Sequence, residues 1–296
     1  MKSARLYRAA LPCAAASALV CLVQAGCGSA GGKGPAHAGA DLYSAEEKFE
    51  AVNAAIDKFG AIFDKKEGES KESDDSFEST RKEMADAGLL CAELLGINSQ
   101  ALDMLDRPGP LNVKMREHLK EYHILVSDFG VSFSAFTEIM ANVFKMVIDM
   151  VAVSAEIDQI KVDSIEDISA AADEFRARAA GFDNTAADFD ALDAGADTKA
   201  LLQSAVKIPE GLSDYLGEMA RAMDSIKQFG LTADQAHMDK ADESKRSAEK
   251  KLQAVLDIFE QDIGKHSQQL GALYSRKLAT IAGKKMIVEE LFRKEK

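Results

Sequence analysis

The sequence predicts an all-α protein: a multi-helix up-and-down bundle, elongated if its helices run long. Three observations carry this. Apolar residues recur at spacings of three and four from Phe49 to Leu291, which aligns them on one face of a helix with 3.6 residues per turn. No segment alternates apolar and polar residues with the period of two that a half-buried strand needs. Alanine is abundant, β-branched runs are scarce, Trp is absent and Pro occurs five times in 296 residues, a composition that favours helix over sheet. Short polar connections between the periodic stretches suit antiparallel neighbours. No repeat with a period of roughly 30 to 50 residues is visible, so a helical solenoid is the second architecture.

Helical structure is expected over residues 44–296. Ser44-Ala45-Glu46-Glu47 reads as a capping box, in which the Ser side chain accepts from a free first-turn N–H and the Glu reaches back. Phe49, Val52, Ile56, Phe59 and Phe63 then form one stripe. Lys65 to Ser76 is charged, holds Gly68, and reads as a solvated loop. Met84, Ala87, Cys91 and Leu94 mark a second helix, ended by Pro108-Gly109-Pro110. Met115, Leu119, Tyr122, Val126 and Phe129 mark a third, with a stop expected near Gly130. A fourth, Val131 to Val162, is apolar nearly all round, with Glu138, Asn142, Lys145, Asp149 and Glu156 on one narrow line, the pattern of a central buried helix. Its longest uncharged stretch, Phe129 to Thr137, is far shorter than the roughly 20 residues a membrane span needs.

Ser164-Ile165-Glu166-Asp167 resembles a second capping box, with Asp in place of Glu. Ile165, Ile168, Ala172, Phe175, Ala179, Phe182, Ala186 and Phe189 follow without a slip, a heptad seam suited to knobs-into-holes packing. That seam has two uses, within one chain or between two copies. Asp190 to Asp197 is a polar turn. Leu201 to Ile208 leads into Pro209, a residue at home in the first turn of a helix, and Leu212, Leu216, Met219, Met223 and Ile226 continue from it. Gly230 is the expected stop, and Thr232-Ala233-Asp234-Gln235 the next cap. Ala248, Leu252, Val255 and Phe259 form another stripe. Leu270, Tyr274, Leu278, Ile281, Val288 and Leu291 form the last, with a bend or split expected at Gly264, Gly271 or Gly283.

The first 27 residues have a different character. Lys2, Arg5 and Arg8 precede an apolar run from Ala9 to Val23, and Ala25-Gly26-Cys27 follows. A basic start, a short apolar core and small residues at a cleavage point make a secretory signal peptide. The run is too short to span a bilayer as a helix. Small-small-Cys at its end resembles the lipobox of bacterial lipoproteins, with Gln24 at the position usually held by Leu. The resemblance covers these residues alone. It implies cleavage before Cys27, attachment of lipid (acyl chains such as palmitate) to that cysteine, and the partition 1–26 signal peptide, 27–43 lipidated cysteine and tether, 44–296 helical domain. Gly28, rather than Asp, follows the cysteine, which by the sorting rule of enteric bacteria implies the outer membrane. The alternative is an ordinary signal peptide cut after Ala25 or near Ala30. Gly28 to Gly39, rich in Gly and Ala, reads as a flexible tether.

Cleavage before Cys27 removes three basic residues and leaves 33 basic against 49 acidic side chains, a net charge of −16. Such a surface repels phosphate backbones and anionic lipid, which argues against nucleic acid and against electrostatic membrane docking. Attachment then falls to the lipid, and stable anchoring takes more than one acyl chain. Cys13 and Cys21 leave with the signal peptide and Cys27 takes the lipid. Cys91 is then the lone thiol of the folded part, and a chain of this size buries an adequate core without a disulfide.

Several groups of residues carry types suited to chemistry. Glu117, His118, Glu121 and His123 cluster on the third helix. His118 and Glu121 share a face, but His123 points about 140° away from His118, so one helix cannot aim both at one ion. Lys120 and Ile124 stand where a di-iron bundle carries its Glu-x-x-His histidines. His237 and His266 are isolated. Asp183, Asp188, Asp190, Asp193 and Asp197 are dense, but counted from Asp188 the calcium-loop pattern fails at Leu192 and at Lys199. Cys91 lies on an apolar seam with no His near it, as a core thiol does. The terminal Arg293-Lys294-Glu295-Lys296 suits the negative end of a helix dipole. The sharper alternative is that a C-terminal lysine enters the lysine pocket of a host kringle domain. No phosphate loop, nucleophile elbow or zinc signature occurs, so no cofactor is expected.

The expectation is a non-enzymatic, lipid-anchored helical lipoprotein at the outer membrane or cell surface that presents a helical face to a protein, either a host ligand or an envelope component. The alternative is a periplasmic carrier that holds a small apolar ligand between bundle helices, with Val131 to Val162 as the lining.

Overall fold

The computed structural model of the protein describes residues 39–64, 75–107, 111–157 and 164–296. They form α1 (Gly39–Asp64), α2 (Asp75–Asp106), α3 (Val113–Ile157), α4 (Ile165–Asp190), α5 (Lys199–Thr232), α6 (Gln235–Asp257), a π-helical turn (Ile258–Ile263) and α7 (Gly264–Glu295). No strand occurs among the described residues. The predicted all-α multi-helix bundle is what the chain forms. Its described residues divide into two compact units, a mid-chain unit of residues 139–267 and a terminal unit that joins the described residues between 39 and 138 to residues 268–296.

In the terminal unit the second-helix seam is buried as its spacing requires. Met84, Ala87, Cys91 and Leu94 are inaccessible or nearly so, and the same register runs on through Asn98, Ala101 and Leu105. On α3, Met115, Leu119, Tyr122, Val126 and Phe129 are buried. Phe49 of α1 packs its ring against Tyr122 of α3 at 4.8 Å and Phe292 of α7 at 5.7 Å. Tyr274 of α7 lies at 6.0 Å from Phe129, 5.1 Å from Phe133 and 5.7 Å from Phe136. Each such ring pair adds about 1 kcal/mol beyond the area it buries. The Tyr274 hydroxyl donates to the Ser132 carbonyl at 3.0 Å, which satisfies the one polar atom of the cluster.

Polar pairs at the edges of the helices report how they run. Lys48 donates to Gln100 and Lys58 to Glu93, so α1 and α2 run antiparallel. Lys277 pairs with Asp128, and Lys284 with Glu121. Both partners are seven residues apart, in opposite directions, as antiparallel α3 and α7 require.

In the mid-chain unit, α4 packs against α5 and α5 against α6. Ile168, Ala172, Phe175, Phe182, Ala186 and Phe189 of the α4 seam are buried. That seam is therefore packed within the chain. Along α6 the buried residues are Ala241, Ala248 and Val255, spaced by seven. With so little side chain to bury, α6 gains contact through close backbone approach. A Cβ on Gly211 of α5 would stand 2.5 Å from Val255 Cγ2. On α3, Ile139, Met140, Val143, Phe144, Met146, Val147, Met150 and Val153 are buried while Glu138, Lys145 and Asp149 are exposed, the pattern expected of a central helix.

Ser164 caps α4 as predicted. Its hydroxyl oxygen accepts from the Asp167 N–H at 3.1 Å and donates to the Asp167 carboxylate at 2.8 Å. Asp234 caps α6, accepting from the Ala236 N–H at 3.0 Å.

Several expected boundaries move. Ser44 lies inside α1, which starts at Gly39, and its hydroxyl faces Met104 Sδ rather than capping. Gly130 does not stop a helix, because α3 runs unbroken from Val113 to Ile157. It is a contact glycine instead: a Cβ there would stand 2.8 Å from Leu95 Cδ2 of α2. Pro209 is not in a first turn but lies inside α5, where the helix survives because Leu201, Ala205, Ile208, Pro209 and Leu212 are all buried on either side of the missing hydrogen bond. Gly230 is helical, and α5 runs on to Thr232, where Ala233 caps it as the one non-glycine residue with positive φ among the described residues (54°). The split expected at Gly264 is absent too, because the π-helical turn carries α6 into α7. Of the two predicted loops, residues 65–74 and 108–110 lie outside the described residues, as do Phe59, Phe63 and Glu156 as side chains.

Candidate functional site

Cys27, the predicted lipidation site, and the tether up to residue 38 lie outside the described residues. The candidate chemistry that is described gathers on the amino-terminal half of α3, in the terminal unit.

There the helix sends its two histidines to different neighbours. His118 is partly exposed, with Nδ1 2.6 Å from Lys284 Nζ and 3.6 Å from a Glu121 oxygen. An ammonium only donates, so His118 Nδ1 accepts and its proton sits on Nε2. Lys284 also donates to Glu121. That hydrogen bond, and then the charge of Lys284, hold the Glu121 carboxyl below the usual carboxylate range. Glu117 is exposed on the same helix. The result is a bridge from α7 to α3, a Lys–His–Glu contact at the bundle surface.

His123 is 1 % exposed. Asn98 of α2 donates through Nδ2 to the His123 carbonyl at 2.7 Å and to Ser127 Oγ at 2.9 Å. Those acceptors fix the amide, so Asn98 Oδ1 faces His123 Nδ1 at 2.7 Å as an acceptor. His123 therefore carries its proton on Nδ1, the opposite tautomer to His118. Burial depresses the imidazole to about 4, with no charged neighbour contributing. One residue earlier, the Tyr122 hydroxyl donates to Asn53 Oδ1 of α1 at 2.7 Å. Burial raises that hydroxyl well above the usual range, and the charges of Asp57 and Glu289 add to the effect.

Asn53, Tyr122, His123 and Asn98 thus make a buried polar layer that ties α1 and α2 to α3. The sequence reading missed it. Its signal was present in Asn98, which falls one step beyond Leu94 on the α2 seam, where an apolar residue is the rule.

The remaining candidates stay apart. Cys91 is buried, and burial alone pushes its thiol up to about 12, so it holds no thiolate at neutral pH. Asp183, Asp188, Asp190, Asp193 and Asp197 are exposed on α4 and the connection after it, and His237 and His266 are half-buried. Among the described residues no three His, Cys, Asp or Glu side chains come together in an arrangement able to hold a metal. No helix of the described residues is long and apolar enough to cross a membrane. The terminal Lys296 donates to Glu46 of α1 at 2.8 Å, Lys294 to Glu290 at 2.5 Å, and Arg293 lies 3.9 Å from Glu289. The terminal basic group is already engaged within the chain. No family model, no curated protein and no solved structure matches this chain.

Proposed function

We propose that the chain is a lipid-anchored helical lipoprotein of the bacterial envelope, held by acyl groups on Cys27, non-enzymatic, and acting as a protein-binding or structural module at the outer membrane or cell surface. The observation that carries the proposal is the run of basic start, short apolar core and Ala25-Gly26-Cys27. The partner is a protein because the mature charge of −16 repels nucleic acid and anionic lipid.

A surface strip supports the protein-binding role. On α2, Ala85, Leu89, Ala92, Gly96 and Ser99 repeat at four and three residues, all exposed and none charged. Leu89 is 71 % exposed, and α3 exposes Val113, Ile124 and Val131. On a strongly acidic protein, an uncharged strip four turns long suits a protein surface.

Protease added to intact cells, with a periplasmic protein as control, tests the placement. Loss of the helical domain while the control survives assigns an outward face and a host ligand. Protection until the outer membrane is opened assigns an envelope partner. In vivo cross-linking then tests the binding role: Leu89→Asp with Val131→Asp is expected to lower partner yield tenfold or more. A yield unchanged by that pair, and by substitution across the rest of the exposed surface, contradicts the binding role.

A further inference from the structure

We propose that the terminal unit carries an acid-responsive element, in which the buried His123–Asn98 contact holds α2 on α3 while the imidazole is neutral and releases it on protonation. The inference stands apart from the lipoprotein reading and from any partner.

The geometry supplies the argument. Asn98 has no free orientation, since its amide nitrogen is committed to the His123 carbonyl and to Ser127 Oγ. Its oxygen accepts the hydrogen bond of His123 Nδ1–H, so the proton acquired in acid must go to Nε2 of a ring that is 1 % exposed. Among the described residues, burial is the one influence on that ring, and it opposes a charge there. Facing it from its own helix are Ser127 and the edge-on ring of Tyr122, centroids 5.1 Å apart. From α2 comes Asn98, which is neutral. On α1, Asp57 acts on the Tyr122 hydroxyl, itself bonded to Asn53, and on α7 Glu289 does the same. Lys284 of α7 and Glu121 of α3 are closed on His118. Among the described residues no carboxylate is arranged to hold an imidazolium at position 123, and burial of an uncompensated charge destabilises the state that buries it.

The sign follows from proton counts. A folded His123 titrates near 4 and an unfolded one near 6.5, so between these values the unfolded or opened state binds the extra proton. Its contribution to stability is complete above about pH 6.5 and is lost as pH falls toward 4. Between pH 7 and pH 5 the opening equilibrium shifts roughly twentyfold toward the open state. Such buried-histidine layers give a helical bundle a pH-biased second state.

Amide hydrogen exchange on the purified full-length protein tests this, after correction for the intrinsic pH dependence of exchange. Amides of residues 94–101 and 119–127 are expected to lose roughly twentyfold protection between pH 7 and pH 5, while those of the α4 seam do not. His123→Asn keeps a donor toward Asn98 and removes the titration, and is expected to flatten the profile. Asn98→Asp supplies the missing carboxylate and is expected to abolish or reverse the loss. Should either variant fail to fold, the histidine resonances of the unsubstituted protein decide: His123 is expected to stay neutral until those amides open. Protection independent of pH, a loss that persists in His123→Asn, or a His123 that titrates normally with its amides still protected, overturns the proposal.

Discussion

Gly130 and Gly211 show why a glycine inside a helical pattern is ambiguous on the page. Each occupies a spot where a side chain of a neighbouring helix takes the Cβ volume: Leu95 at Gly130 and Val255 at Gly211. The two differ in how easily the neighbour yields. Leu95 is half-buried and swings on a flexible side chain, so Gly130→Ala is expected to be near neutral once about 1 kcal/mol of helix propensity is returned. Val255 is buried and stiff at χ1, so Gly211→Ala is expected to destabilise by about 1–2 kcal/mol, overpacking outweighing propensity. Thermal melts of the two variants side by side check the ordering. Ala233 supplies the opposite case, a residue at φ 54° where glycine belongs. Ala233→Gly is expected to stabilise by about 1 kcal/mol, read as a rise in the denaturation midpoint. What was legible at this scale was burial on the seams. Cys91 sits between Ala87 and Leu94 in sequence and is inaccessible in the fold, so iodoacetamide is expected to leave it unmodified at pH 8 until the protein is denatured. What was not legible was His123, whose partner Asn98 lies 25 residues away and is brought near by helix pairing alone.

Among the helices, type was legible and boundaries were less so. The 3-4 pattern states which face is buried, and that is a local property of 3.6-fold geometry. Where a helix stops depends on what continues to pack beyond the weak residue. Pro209 is tolerated because it is buried between Leu201, Ala205, Ile208 and Leu212, and α3 passes Gly130 because Phe129 and Phe133 are buried on either side. Ser164 was readable as a cap because its hydroxyl stands three residues ahead of Asp167 at the head of an unbroken 3-4 pattern. Ser164→Ala is expected to cost about 1 kcal/mol, since it strands the Asp167 N–H, and to lower the helicity of α4 in circular dichroism near the melt. The α3–α7 pairing tests whether edge charges set register. Lys284→Glu alone is expected to lower the denaturation midpoint, and Lys284→Glu with Glu121→Lys to recover most of the loss. A double exchange no better than the single one shows that packing, not the ladder, fixes the register.

For the whole molecule, the predicted class and the predicted division of labour rest on different kinds of signal. The all-α bundle is written redundantly, in every seam from α1 to α7. The division into two units was not readable, because α3 and α7 each cross it without a composition change. The proposed function rests instead on a few residues at the start of the chain, and on the acidic exterior that leaves attachment to lipid rather than to charge. The candidate site was legible only in part: the separation of His118 from His123 follows from helical geometry, whereas the Asn53–Tyr122 and Asn98–His123 layer needs the fold.

The central claim, attachment through Cys27, is tested most directly by the mass of the mature amino terminus isolated from membranes, for the natural chain and for Cys27→Ala. The account predicts a chain that begins at Cys27 and carries acyl mass on its sulfur, and a Cys27→Ala protein that lacks that mass and leaves the membrane fraction. An unacylated terminus produced by cleavage after Ala25 or near Ala30, the same in both proteins, would contradict it.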